Sequence, residues 1–219
     1  MRKKYFDKLV DIINEKDLDA MLISPSEELL FLLGTSPRLC ERFQGLFIKN
    51  TGEYFYICNT LTADEMREAL GSDVKVYDWF DGDYYTDIVK QALTDFDLIG
   101  KKIAVNSSAQ VCNILEISKE LGITFVAGKY LLEEIRIHKT DEELENLRKS
   151  SLITDKAFEN LLNYLKPGMK EEEIKHVLLP EMYKQQGGKM VPGSGVVASG
   201  AGSSYPHYND TQRIIQDKD

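Results

Sequence analysis

The chain has 219 residues, 42% of them hydrophobic, enough to bury a sizeable core in one large domain, or in one whole domain plus part of another. Lys plus Arg number 27 and Asp plus Glu 36, a net charge of −9, and an acidic chain repels phosphate backbones, which argues against nucleic acid as the main partner. No apolar run approaches the roughly 20 residues of a membrane span. Acidic residues at Asp7, Asp11, Glu15 and Asp17 interrupt the segment behind the basic N-terminus, so a secretory signal is not expected. The cysteines Cys40, Cys58 and Cys112 are odd in number and form no Cys-x-x-Cys pair. They read as reduced, mostly buried thiols of a cytoplasmic protein.

Residues 5–16 place Phe6, Leu9, Val10, Ile12 and Ile13 at helical spacing. Ala20-Met-Leu-Ile-Ser24 is a short apolar run ended by Pro25 and predicts a buried strand, followed by a helix from Ser26 that Gly34 stops. The runs 46–48 and 54–58 flank Asn50-Thr-Gly-Glu53, whose turn residues predict a hairpin. Thr62-Ala-Asp-Glu65 has the form of a capping box, so a helix is expected from there through Leu70. The alternation continues with a strand at 74–77, a helix over 85–96, a strand at 103–105, a helix over 108–121 and a last strand at 123–126. Strands alternating with helices indicate an α/β domain with a largely parallel or mixed sheet, complete near residue 130.

The texture then changes. Thr140-Asp-Glu-Glu143 is a second capping box, opening a long amphipathic helix through Leu144, Leu147, Leu152, Phe158, Leu161 and Leu165 to the stop at Pro167-Gly168. A further helix is expected over 171–186, closed by Gly187-Gly188, and then a short strand at 196–199 running into Gly200-Ala-Gly-Ser-Ser204. Two helices followed by a new strand look like the opening of a second, α+β domain.

Candidate chemistry centres on the histidines. His138 sits in a charged junction and His176 on a charge-rich helix beside Glu172 and Glu173, so both read as solvated. His207 differs, because it follows a glycine-rich loop and Pro206 close to an expected strand end, where a scaffold tends to present functional groups. Position alone leaves its role open. The segment Gly193-Ser-Gly195 to Gly200-Ala-Gly202 matches neither phosphate-loop pattern and no helix is expected after it, so it reads as a substrate-facing loop. Asp81-Gly-Asp83 lacks the rest of a calcium loop and reads as a turn.

Five segments occur in a telling order: Asp19-Ala-Met-Leu-Ile23, Arg42-Phe-Gln-Gly-Leu-Phe-Ile48, the junction from Ile135-Arg-Ile-His-Lys139 to Lys149, Lys166-Pro-Gly-Met-Lys-Glu171, and Val197-Ala-Ser-Gly-Ala-Gly-Ser-Ser-Tyr-Pro-His207. In order and spacing they resemble the creatinase/Xaa-Pro peptidase family. The resemblance implies a creatinase-type N-terminal α/β domain over 1–132, with a mixed sheet and flanking helices, and the beginning of an α+β pita-bread metallopeptidase domain over 133–219. It also implies a homodimer acting on peptides, and two divalent ions (manganese, cobalt or zinc) held by two Asp, one His and two Glu. In the scheme that the resemblance implies, those ions would supply the hydroxide nucleophile and act as Lewis acids at the scissile carbonyl. The histidine of the Pro-His motif, His207 here, is not a ligand in that scheme but donates a hydrogen bond near the scissile peptide. The last residues, Arg213-Ile-Ile-Gln-Asp-Lys-Asp219, match the approach to the first ligand, and Asp217 and Asp219 do not reach its position. Every ligand of the family pattern is therefore expected past residue 219, no metal ligand is assigned here, and the 219 residues alone are expected to be inactive. Two alternatives stand beside this reading: a non-catalytic binding or dimerisation module, and a creatinase-like amidinohydrolase fragment.

Overall fold

The computed structural model describes residues 1–185 and 195–219. It divides into two compact units, Met1–His138 and Lys139–Asp219.

In the first unit the elements run α1 (Lys3–Glu15), β1 (Ala20–Ile23), α2 (Glu27–Leu33), β2 (Gly45–Lys49), β3 (Tyr54–Asn59), α3 (Thr60–Leu70), β4 (Val76–Trp79), α4 (Tyr85–Asp95), β5 (Lys102–Val105), α5 (Val111–Leu121), β6 (Thr124–Ala127) and α6 (Lys129–Arg136). The strands form one six-stranded mixed sheet in the order β4-β3-β2-β1-β5-β6. The pairs β1–β2 and β2–β3 are antiparallel, and the other three are parallel. A strand in such a sheet meets apolar groups on both faces, which is why β1 reads as an unbroken apolar run rather than an alternating one. Its residues still alternate in space. Met21 and Ile23 join Leu9, Ile13, Leu29, Met66 and Leu132 on one face. Ala20 and Leu22 join Phe47, Phe55, Trp79, Val89 and Ile117 on the other.

The local signals work as expected at α2, where Ser26 Oγ accepts from the Leu29 N–H and Gly34 ends the helix at φ 84°. The β2–β3 hairpin turns through Gly52 at φ 86°, with the Lys49 N–H bonded to the Glu53 carbonyl at 2.8 Å. At α3 the expected capping box does not form. The cap is Asn59, whose side chain accepts from the Leu61 N–H at 3.1 Å, while the Thr62 hydroxyl donates to the Asn59 carbonyl. The last residue of β3 is already extended and carries a strong capping side chain, so the helix starts two residues before Thr62.

Sequence reading missed α6, the helix that closes this unit. Leu131, Leu132 and Ile135 are buried, and α6 packs against α1. The division therefore falls after His138, six residues beyond the expected boundary at 132. The cysteines need a second correction: only Cys58 is buried, Cys40 is partly exposed and Cys112 is exposed. The reason is position, since Cys58 lies inside β3, whereas Cys112 lies in the first turn of α5 on its outer side. Burial pushes the Cys58 thiol up to about 11. Ellman's reagent should therefore label Cys112 first in the native protein and reach Cys58 only on unfolding; native labelling of Cys58 at the rate of Cys112 would contradict this placement.

The second unit contains α7 (Asp141–Leu162) and α8 (Glu171–Gln185), which pack on each other through Ala157, Leu161 and Ile174. The capping box of α7 forms as expected: Thr140 Oγ1 accepts from the Glu143 N–H at 3.2 Å, and Glu143 Oε2 accepts from the Thr140 N–H at 2.9 Å. The expected end of the second helix at Gly187-Gly188, and the first part of the glycine-rich segment at 193–194, lie outside the described residues. Among the described residues, no helix is long and apolar enough to cross a membrane.

Candidate active site

The loop carrying His207 is built on the N-terminus of α8. Residues 211–215 run antiparallel along 168–172. The Gly168 N–H bonds the Ile215 carbonyl at 2.8 Å, the Ile215 N–H bonds the Met169 carbonyl at 2.8 Å, and the first-turn N–H groups of Glu171 and Glu172 bond the carbonyls of Arg213 and Thr211 at 3.0 Å each. These bonds satisfy helix donors that would otherwise be orphaned. They also bring Arg213 beside Glu171.

Glu171 is the buried acid of the site, at 0% exposure. Its Oε1 accepts from the Ser199 N–H at 2.6 Å and from the Ser199 hydroxyl at 2.7 Å. The Ser199 Oγ in turn accepts from Arg213 Nε at 3.0 Å, and the Arg213 Nη2 donates to both oxygens of Asp219 at 2.8 Å. The Gln216 N–H and the Arg213 guanidinium hold the Asp219 carboxyl below the usual carboxylate range. Tyr208 closes the cluster. Burial and then the neighbouring Glu171 carboxylate raise its hydroxyl above the usual phenol range.

The strand expected at 196–199 does not form. Ser199 is extended at φ −132°, but its N–H goes to a carboxylate rather than to a neighbouring strand, and a strand exists only as part of a ladder. A 3-10 helix, Gly200–Ser204, begins directly after it, inside the segment read as a substrate-facing loop. The Ser203 and Ser204 hydroxyls donate back to the carbonyls of Gly200 and Ala201 at 2.5 and 2.8 Å, which tightens that turn. Pro206 and His207 follow in a turn, with His207 exposed.

His138 and His176 are exposed, as expected for solvated groups. The acidic residues of the first unit are engaged locally. Arg42 grips Asp81 through Nε and Nη2 at 2.9 and 2.7 Å, Asp83 accepts from the Phe80 N–H at 3.2 Å, and Asp78 pairs with Arg67. Among the described residues, no three His, Cys, Asp or Glu side chains converge on a point that could hold a cation. The described residues therefore do not make up a holder for two divalent ions.

Sequence reading missed Glu171, Ser199, Tyr208 and Arg213 as a cluster. Three consecutive glutamates, 171–173, looked like one solvated face. At 3.6 residues per turn they point in three directions, and only Glu171 turns inward.

The first unit matches the creatinase/prolidase N-terminal domain over residues 6–138, and the second matches metallopeptidase family M24 over residues 145–219. The chain belongs to the creatinase/prolidase family of M24 metallopeptidases. A probable dipeptidase, PepE, of Mycobacterium bovis is 22% identical over 204 residues, covering 92% of this chain and 53% of that protein. A dipeptidase of Pyrococcus horikoshii superposes with a TM-score of 0.78 at 25% identity over 97% of this chain and 58% of its own. A prolidase of Thermococcus sibiricus shares the fold with a TM-score of 0.88 at 21% identity over 99% of this chain and 59% of its own. The chain thus spans about half the length of the relatives it matches.

Proposed function

We propose that this chain is the N-terminal part of a metal-dependent peptidase that hydrolyses the peptide bond next to proline, working on peptides as a cytoplasmic homodimer. The observation that supports this reading is the anchored loop: Glu171, Ser199 and Arg213 brace a segment that ends on an exposed imidazole at His207. In the reaction, His207 donates a hydrogen bond to the oxygen that gains charge when the scissile carbonyl becomes tetrahedral. That stabilises the transition state more than the bound substrate, so it acts on kcat. Two divalent ions, manganese, cobalt or zinc, would supply the nucleophile and the Lewis acid in the whole enzyme. They enter this reading through the family alone.

Two assays test it. The pure 219-residue chain with added manganese should not cleave an Xaa-Pro dipeptide, and robust turnover would overturn the expected inactivity. In a protein that continues past Asp219 over the length of its relatives, His207→Ala should lower kcat by roughly 100- to 1,000-fold with little change in KM. An unchanged kcat would remove His207 from the mechanism.

A further inference from the structure

We propose that Glu171 is the positioning residue of the His207 loop: its buried carboxylate takes both the N–H and the hydroxyl of Ser199, and through them sets where the loop presents the imidazole. The importance of His207 rests on the reading above. The mechanical role of Glu171 does not.

Burial makes the first argument. A carboxylate removed from water is costly unless charge-assisted hydrogen bonds compensate it, and a residue that merely filled space at this position would be apolar. Glu171 is at 0% exposure; its Oε1 takes two hydrogen bonds, both from Ser199, while its Oε2 is buried without a hydrogen-bond partner among the described residues, so the compensation that the site provides runs through Ser199. At 2.6 and 2.7 Å they are in the range of strong charge-assisted bonds. Two donors from one residue on one oxygen leave Ser199 little freedom to rotate. The adjacent glutamates do something else: Glu173 accepts from the Lys170 N–H at 2.8 Å, and Glu172 accepts from Gln212 at 3.0 Å.

Connectivity makes the second. Ser199 is the residue on which the 3-10 helix is founded, since its carbonyl accepts from the Gly202 N–H at 3.1 Å and the Gly202 carbonyl accepts from the Tyr205 N–H at 3.1 Å. The orientation of Ser199 is thus carried by consecutive turns to the doorstep of Pro206 and His207. On the far side the chain comes back. A Cβ at Gly202 would lie 2.9 Å from the Tyr208 ring, so the ring packs flush against the helix. The 200–207 segment is therefore held at both flanks: Ser199 before it is fixed by the buried acid, and Tyr208 after it packs back on the helix that Ser199 founds.

The test compares Glu171→Gln, which keeps an acceptor oxygen, with Glu171→Ala, which removes it, in the 219-residue chain. The readouts are hydrogen exchange of the Ser199 amide and the imidazole NMR signals of His207. In Glu171→Ala the Ser199 amide should exchange roughly 10- to 100-fold faster, the range corresponding to loss of a hydrogen bond to a charged group. The His207 signals should move or broaden. Glu171→Gln should restore most of both, and amides at the α7 cap, Thr140–Glu143, should stay as they are in every variant. Unaltered Ser199 exchange and His207 signals in Glu171→Ala would overturn the proposal, and so would a Gln variant no better than Ala. If Glu171→Ala unfolds the second unit, Ser199→Ala decides: it deletes the hydroxyl bond alone and should shift the His207 signals, and unchanged signals would count against the role. A His207→Ala enzyme with full turnover would sink the catalytic reading while leaving these outcomes untouched.

Discussion

Phe47→Ala should destabilise the first unit by about 3–5 kcal/mol, the usual cost of a large aromatic deleted from a packed core. Phe47 is fully buried in the middle of β2 and stacks on Phe55 at 4.9 Å with the rings within 2° of parallel. Phe55 stacks in turn on Phe96 at 4.2 Å, so the deletion opens a cavity at the centre of an aromatic layer that no neighbour can fill without leaving its own place. Trp79, the single tryptophan, lies in the same cluster, and its indole N–H donates to the Phe43 carbonyl at 3.1 Å. Its fluorescence therefore reports this unit and not the second. The urea midpoint followed at Trp79 should fall by at least about 1 M, given the usual slope for small domains. A midpoint unchanged within error would mean that this layer is not the core.

Gly200→Val should have the largest effect of any single change in the loop. Gly200 has φ 50°, in the left-handed region, where a β-branched side chain is a true outlier, and its Cβ would collide with the Arg213 guanidinium. The backbone term alone costs about 1–2 kcal/mol. The guanidinium must also leave the place from which it bonds Ser199 and Asp219. Loss of the 3-10 helix should appear as fast exchange of the Gly202 and Tyr205 amides, with α7 and the first unit unaffected. Retention of both amides at parental exchange rates would show that the loop tolerates the side chain, contrary to this geometry. Gly200→Ala should show the same changes in weaker form.

Much of the first unit was legible in the sequence because its signals are local. The Ser26 cap, the Gly34 stop and the Gly52 turn each depend on a few neighbouring residues whose backbone needs are met or not met on the spot. Where two local signals compete, the pattern misleads. Thr62-x-x-Glu65 has the right letters for a cap, but Asn59 ends a strand three residues earlier and takes the role first. The closing helix α6 was missed for another reason. Its eight residues, half charged and half apolar, span little more than two turns, too short a window for the helical period to stand out, and the meaning of Leu131, Leu132 and Ile135 as a core-facing stripe depends on α1 lying across them.

The loop of the second unit divides in the same way. The Ser-Gly pair at 199–200 and the Pro-His pair at 206–207 stood out in the sequence through their resemblance to a family motif. The class of fold could be read as well, because alternating strand and helix patterns are written in short windows. The partner of Ser199 could not. Glu171 lies 28 residues earlier in the chain, and nothing in three adjacent glutamates tells which one is buried. The bends that turn 211–215 back along 168–172 and bring Arg213 to Ser199 decided that. A hydrogen bond between distant residues depends on where the whole chain goes, whereas a cap or a turn depends only on its immediate neighbours.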